Sequence, residues 1–185
     1  MQSLARVMLK IYCMPIEFII EFIIILFCSW FLLNFLFCFY NKQSIWRNIN
    51  RILILPALFV IVYVTILKRQ EGTTLEVVLM PFHSFVEAKE NEEIYRSMLM
   101  NLFLFVPFGM TLVCSLPAKI KHCLAISVIV SMLLSISIES VQYFFQMGRV
   151  ETDDVICNTL GGIIGVLTYL PVVILDKNII CKNLN

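Results

Sequence analysis

Hydrophobic residues in this chain come in long runs separated by short polar links, and five of the runs approach the length of a bilayer crossing. A helix rising 1.5 Å per residue needs about 20 apolar residues to cross a hydrocarbon layer of about 30 Å. The first run, Pro15 to Tyr40, is broken only by Glu17, Glu21, Ser29 and Asn34, with both acids near its start at headgroup depth. Residues 1–14 carry Arg6 and Lys10 among apolar neighbours, which suits a short interfacial helix. A basic link from Asn41 to Arg51 follows, holding Lys42, Arg47 and Trp46 as an interfacial ring. The second run, Ile52 to Leu67, is short and needs a turn from either flank or local bilayer thinning.

Residues 68–97 form the one long polar segment, rich in glutamate. Within it Leu75 to Phe85 is apolar but too short to span and is broken by Pro81, so a strip on the membrane surface is expected. The third run, Met98 to Leu116, contains Asn101, with Pro107 and Gly109 predicting a kink. A basic turn through Lys119 and Lys121 leads to the fourth run, Cys123 to Phe145, whose Ser131 and Ser135 recur at helical spacing and predict a helix contact. The fifth run, Val155 to Leu175, closes at Asp176 and Lys177. The pattern predicts an all-α polytopic membrane helix bundle of about five transmembrane helices. It divides into a two-helix region at 1–67, a surface loop at 68–97, a three-helix core at 98–176 and a tail at 177–185.

Composition agrees: 60% of residues are hydrophobic and 15% charged, with mean hydropathy +0.90, against about 25% charged in soluble domains. A net charge of +1 without a basic stripe argues against a nucleic-acid partner. Seven cysteines, mostly inside apolar runs, make no disulfide framework and no zinc motif. The first run is too long for a cleavable signal and is expected to stay as an anchor. Lys and Arg counts on the two sets of loops are equal. The basic residues of the even links hug helix ends, so the N-terminus is placed outside and the C-terminus in the cytoplasm. Five spans then leave the glutamate-rich loop and the loop from Arg149 to Asp154 on one face, the outer one.

Costly polar groups concentrate between Ile138 and Gly165. Glu139 and Gln142, three apart, share a helix face. A charged group at the centre of a spanning helix costs roughly 2.5–3.5 kcal/mol on insertion scales, so it has a partner or a task. The task would be proton transfer or ligand binding; the plainer alternative is interhelical hydrogen bonding to Asn101 or Asn158. Arg149, Glu151, Asp153 and Asp154 crowd one loop, where the carboxylates suit a cation, a Lys-like amine or a sugar, with Arg149 completing the site or gripping an anion. Capping by Thr152 or Asp153 explains one or two of these acids, not the cluster. Asn158 falls four after Asp154, on its face, and Gly161 and Gly165 make the small-residue spacing of a close helix contact. The expected ligand-binding set is Asn101, Glu139, Gln142, Arg149, Glu151, Asp154 and Asn158, with Glu139 and Asp154 as candidates for acid/base work. His83 and His122 fall on opposite sides, so no two-histidine metal site is expected, and no cofactor motif is present.

The Pro81-Phe82 pair, the run from Asn101 through Pro107 to Gly109, the Glu139-x-x-Gln142 pair and the stretch GRVETDDVICNTLGG from Gly148 to Gly162 stand in the order and spacing of one family. Over residues 80–166, about half the chain, the sequence resembles the VanZ-like family of bacterial membrane proteins associated with glycopeptide (teicoplanin) resistance. Glu151 departs from it, since members more often have Asp there. The resemblance implies a bacterial plasma-membrane protein acting near cell-wall glycopeptides, with the lipid bilayer and a glycopeptide or lipid-linked cell-wall precursor as partners. The leading expectation is a non-catalytic resistance protein. A membrane enzyme using Glu139 and Asp154 on a lipid-linked precursor is the alternative, and a small transporter is the third.

Overall fold

The computed structural model describes residues 15–67, 75–117 and 122–175. The interfacial helix expected over 1–14, the turn carrying Lys119 and Lys121, and the tail lie outside these residues. Five helical segments are long and apolar enough to cross a membrane. They are α1 (Ile16–Phe39), α2 (Gln43–Val62, prolonged by a wide π turn, Tyr63–Leu67), α4 (Glu92–Ser115), α5 (Cys123–Phe144), and α6 (Thr152–Leu167) with its short continuation α7 (Leu170–Leu175). This is a multi-pass membrane helix bundle, as the hydrophobic runs predict.

Two boundaries differ from expectation for a physical reason. The second span begins at Gln43, not Ile52, because Trp46 and Asn50 are buried on its first turns. The basic link thus shrinks to a turn at Asn41 and Lys42, with Arg47 and Arg51 on the helix itself. The third span starts at Glu92, six residues before its apolar run, because Asn91 caps it: its side chain accepts a hydrogen bond from the Glu93 amide at 3.0 Å.

The core is built on α4 and α6, which run in the same direction with their backbones in contact. A methyl group added to Gly109 would stand 2.3 Å from the Gly162 carbonyl oxygen, and one added to Gly165 would stand 2.2 Å from that of Val106. On its other side Gly162 meets Ser131 of α5, so the serine spacing does mark a helix contact. Pro107 lies within α4, and the hydroxyl of Thr111 returns to the Pro107 carbonyl at 2.9 Å.

Two apolar clusters fill the bundle. One gathers Trp46, Val113, Val166, Tyr169 and Val172; the other gathers Ile61, Leu104, Phe105, Phe108 and Ile138. Asn34, noted in the sequence only as an interruption of the first run, is fully buried. Its Nδ2 donates to the Thr168 carbonyl at 2.9 Å, and its Oδ1 accepts from Trp46 Nε1 at 2.8 Å and from Cys114 Sγ at 3.2 Å. One side chain thereby ties α1, α2, α4 and the break between α6 and α7. A buried amide in lipid surroundings must find its hydrogen bonds internally, and this one makes three.

The segment expected as a plain surface strip is partly built into the bundle. β1 (Glu76–Val78) pairs in parallel with β2 (Arg149–Glu151), Val77 opposite Val150, and α3 (His83–Glu87) follows. The pairing puts the glutamate-rich loop and the acidic loop on one face. Leu79, Met80, Phe82 and Val86 stay exposed, an apolar fringe suited to the interfacial region.

Candidate functional site

The strand pair and α3 sit over the N-terminus of α6, and the acids of the motif hold them there. Asp153 is 1% exposed, and its carboxylate accepts from the backbone amides of Phe82 at 2.6 Å and Ser84 at 2.7 Å. Phe82 has φ +65°, a left-handed conformation that costs an L residue roughly 1–2 kcal/mol. The two charge-assisted hydrogen bonds of Asp153 offset that cost. Asp153 is therefore an anchor across the loops, a role the sequence did not assign it. Neither Thr152 nor Asp153 caps α6, whose N-cap is Glu151 without a side-chain capping bond, whereas Asp153 and Asp154 do stand in its first turn, where acids are favoured.

Glu151 is buried, accepts from the Ser84 hydroxyl and pairs with Arg149. Arg149 also reaches Glu87, Nη2 to Oε2 at 2.6 Å, and Glu76, Nε to Oε2 at 3.9 Å. One guanidinium thus gathers carboxylates from β1, α3 and β2. Its hydrogen bond holds the Glu87 carboxyl below its ordinary value of 4.5, with the Arg149 and His83 charges acting in the same sense and burial opposing. His83 Nδ1 lies 3.5 Å from the same carboxylate.

Beneath this layer the remaining expected residues divide. Asn101 of α4 donates to Asp154 Oδ1 at 2.6 Å, fixing that carboxylate at the head of α6. Glu139 Oε2 accepts from the Glu151 amide at 3.2 Å, holding β2 from behind. Gln142 points elsewhere: its Nε2 donates to the Thr65 carbonyl at 2.9 Å, satisfying one of the carbonyls the end of α2 leaves open. Asn158, though one turn below Asp154, donates to Ser135 Oγ at 2.8 Å inside the bundle. The predicted hydrogen bonds from Glu139 and Gln142 to Asn101 or Asn158 are not the ones formed.

A cleft of about 270 Å³ opens at this end. Arg149, Glu151 and Asp154 line it on one side, with Asn91, Glu93 and Ser97 from the head of α4 on the other. Of the seven expected ligand-binding residues, three border the cleft, Asn101 and Glu139 brace it, and Gln142 and Asn158 tie helices together. Asn91, Glu93 and Ser97 were missed because α4 was expected to start only at Met98. Met98 separates the cleft from a larger apolar groove of about 440 Å³, bordered by Phe85, Tyr95, Leu99, Leu102 and Leu160. Among the described residues no three His, Cys, Asp or Glu side chains form a group able to hold a metal ion.

The VanZ/LLP1 family description matches residues 22–175, from the first turns of α1 to the end of α7. Protein VanZ of Enterococcus faecium is 32% identical over 75 residues, 40% of this chain and 45% of that protein. The alignment thus spans less than half of the curated relative. No solved structure matches the chain. With the family match running through all five spans and both strands that build the cleft, the chain belongs to the VanZ/LLP1 family.

Proposed function

We propose that the cleft between the head of α4 and the Arg149–Asp154 loop is a binding site for an amine- or hydroxyl-bearing ligand of the cell envelope. In this reading the loops face outward, the N-terminus is outside, and occupancy lowers glycopeptide action, teicoplanin above all. The observation that carries it is the cleft itself, lined by Glu93, Glu151 and Asp154 against the single cation Arg149. An excess of carboxylates in a concave, braced site favours donor-rich ligands and disfavours anions. Binding is favoured over catalysis because the carboxylates are already held by protein donors: Asp154 by Asn101, Glu151 by Ser84 and Arg149, and Glu139 by the Glu151 amide. The kinship with Protein VanZ supports the link to resistance.

The test is teicoplanin and vancomycin susceptibility in a sensitive Gram-positive host expressing the wild-type chain or Asp154→Asn at matched membrane levels. The substitution keeps the shape and removes the charge that an amine would meet. Losing one charge-assisted hydrogen bond of about 1.5–3 kcal/mol corresponds to a tenfold or greater loss of binding, so teicoplanin tolerance should fall to near the level of the empty host. Equal tolerance in both strains sinks the cleft as the site.

A further inference from the structure

The apolar groove beside the cleft is larger than the cleft itself, and the proposed function gives it no task. It starts at the surface with Phe85 and Lys89 and continues past Met98 and Leu99 to Leu102 and Leu160. Leu102 lies ten residues into α4 and Leu160 eight into α6, so at 1.5 Å per residue the groove reaches about 12–15 Å along the helices. Counted from Met98 and Val155, where the apolar runs begin, it enters the hydrocarbon layer by about 6–8 Å, the upper part of one leaflet. Tyr95 is 39% and Leu160 42% exposed, so the groove is open to the lipid side of the bundle. Its apolar lining and volume of about 440 Å³ suit the upper part of one alkyl chain.

We infer that the groove seats one acyl chain of an amine-bearing phospholipid from the surrounding leaflet, with its phosphate at Lys89 and its amine in the acidic cleft. This rests on the cleft being a binding site. Charge complementarity selects the occupant. The cation Lys89 borders the groove, the acids Glu93, Glu151 and Asp154 border the cleft, and Met98 borders both. A headgroup that carries both a phosphate and an ammonium finds an opposite charge for each. A purely anionic headgroup meets the acids with like charge. The chain gains from a seat that is already formed, so little ordering is charged against binding.

The test reconstitutes the full chain in phosphatidylglycerol vesicles doped with a diazirine-acyl phosphatidylethanolamine or, in parallel, a phosphatidic acid with the same chain. Photolabelled residues are mapped by mass spectrometry. The expected result is labelling at Met98, Leu99, Leu102 and Leu160 well above the lipid-facing Leu133 of α5, and stronger for the amine lipid. Leu102→Trp fills the groove. Each methylene it excludes weakens retention about fourfold, so groove labelling should drop on the order of tenfold. Leu160→Trp, on the exposed side, repeats the test without touching the α4–α6 contact. Asp154→Asn should erase the preference for the amine lipid. Labelling that is even over α1, α5 and the groove, and unchanged in both tryptophan variants, overturns the chain seat even where Asp154→Asn alters teicoplanin tolerance. Groove labelling equal for the two lipids and indifferent to Asp154→Asn overturns the amine assignment. If teicoplanin tolerance is also insensitive to Asp154→Asn, the cleft reading fails with it.

Discussion

Asp153 and Asp154 are neighbours in the chain with different work, and only their surroundings separate them. Asp153 turns inward to two backbone amides of the α3 segment, whereas Asp154 lines the cleft with Asn101 behind it. Replacing Asp153 by Ala leaves two amides without their acceptor, at about 1–3 kcal/mol each. Amide exchange over residues 76–87 should therefore accelerate by about thirtyfold or more while the spanning helices stay protected. Unchanged exchange there would remove the anchor role. The Glu87–Arg149 pair adds a pH dependence whose sign is set by the lowered carboxyl pKa. A carboxyl lowered on folding stabilises the docked segment above its ordinary value of 4.5, and that stability is lost as pH falls through the lower, folded value. His83, Glu76 and Glu151 face the same charges. Limited proteolysis between residues 75 and 91 should stay slow at pH 7 and speed up only once the pH has fallen below the ordinary carboxyl value of 4.5. Glu87→Gln should be cut faster at pH 7 and lose that acid step.

Among the elements, the parallel pair α4 and α6 sets the position of everything else. Its close approach comes from glycines on both helices, and the sequence signals half of it: Gly161 and Gly165 have the spacing of a helix contact. Gly109 predicts a kink, yet its neighbour in space is the Gly162 carbonyl, so it is the matching surface of the partner helix. Gly109→Ala forces the backbones apart. Overpacking of this kind costs typically 1–3 kcal/mol, and the detergent-solubilised protein should unfold several degrees lower, whereas Ala at the exposed Leu133 should shift the midpoint little. Equal midpoints would show that α4 and α6 are not in contact there. The beginning of α4 teaches the same lesson. An apolar-run criterion finds the part of a helix inside lipid, but this helix continues into water, where Asn91 caps it and Glu93 and Ser97 reach the cleft.

At the scale of the whole molecule, the five crossings place both cleft-forming loops at one end of the bundle, and the Asn34 hub lies where α1, α2, α4 and α6 meet near the other. The proposed outward orientation gives a direct expectation. With native cysteines replaced, Glu90→Cys, in the exposed turn between α3 and α4, should react with a membrane-impermeant maleimide in intact cells. Reaction only after permeabilisation would invert the topology and remove a wall-facing role. The first span lies before the motifs at residues 80–166 but inside the family match over residues 22–175, and it is held to the others by the Asn34 amide and by Trp30 and Phe37 packed on Trp46.

The number, order and approximate extent of the crossings, and the concentration of polar groups at one end, were determined by the sequence alone. The cost of burying charge and the length needed to cross a bilayer leave few other ways to read such runs. Tertiary structure decided which polar groups meet. Spacing along a helix says that Glu139 and Gln142, or Asp154 and Asn158, share a face, but not what stands opposite. Opposite them came the Glu151 amide and Ser135 from the adjoining segment, and the open end of α2 and Asn101 from segments more than 50 residues away. A hydrogen bond depends on ångström-scale placement of two helices, and hydrophobic periodicity carries no information at that precision.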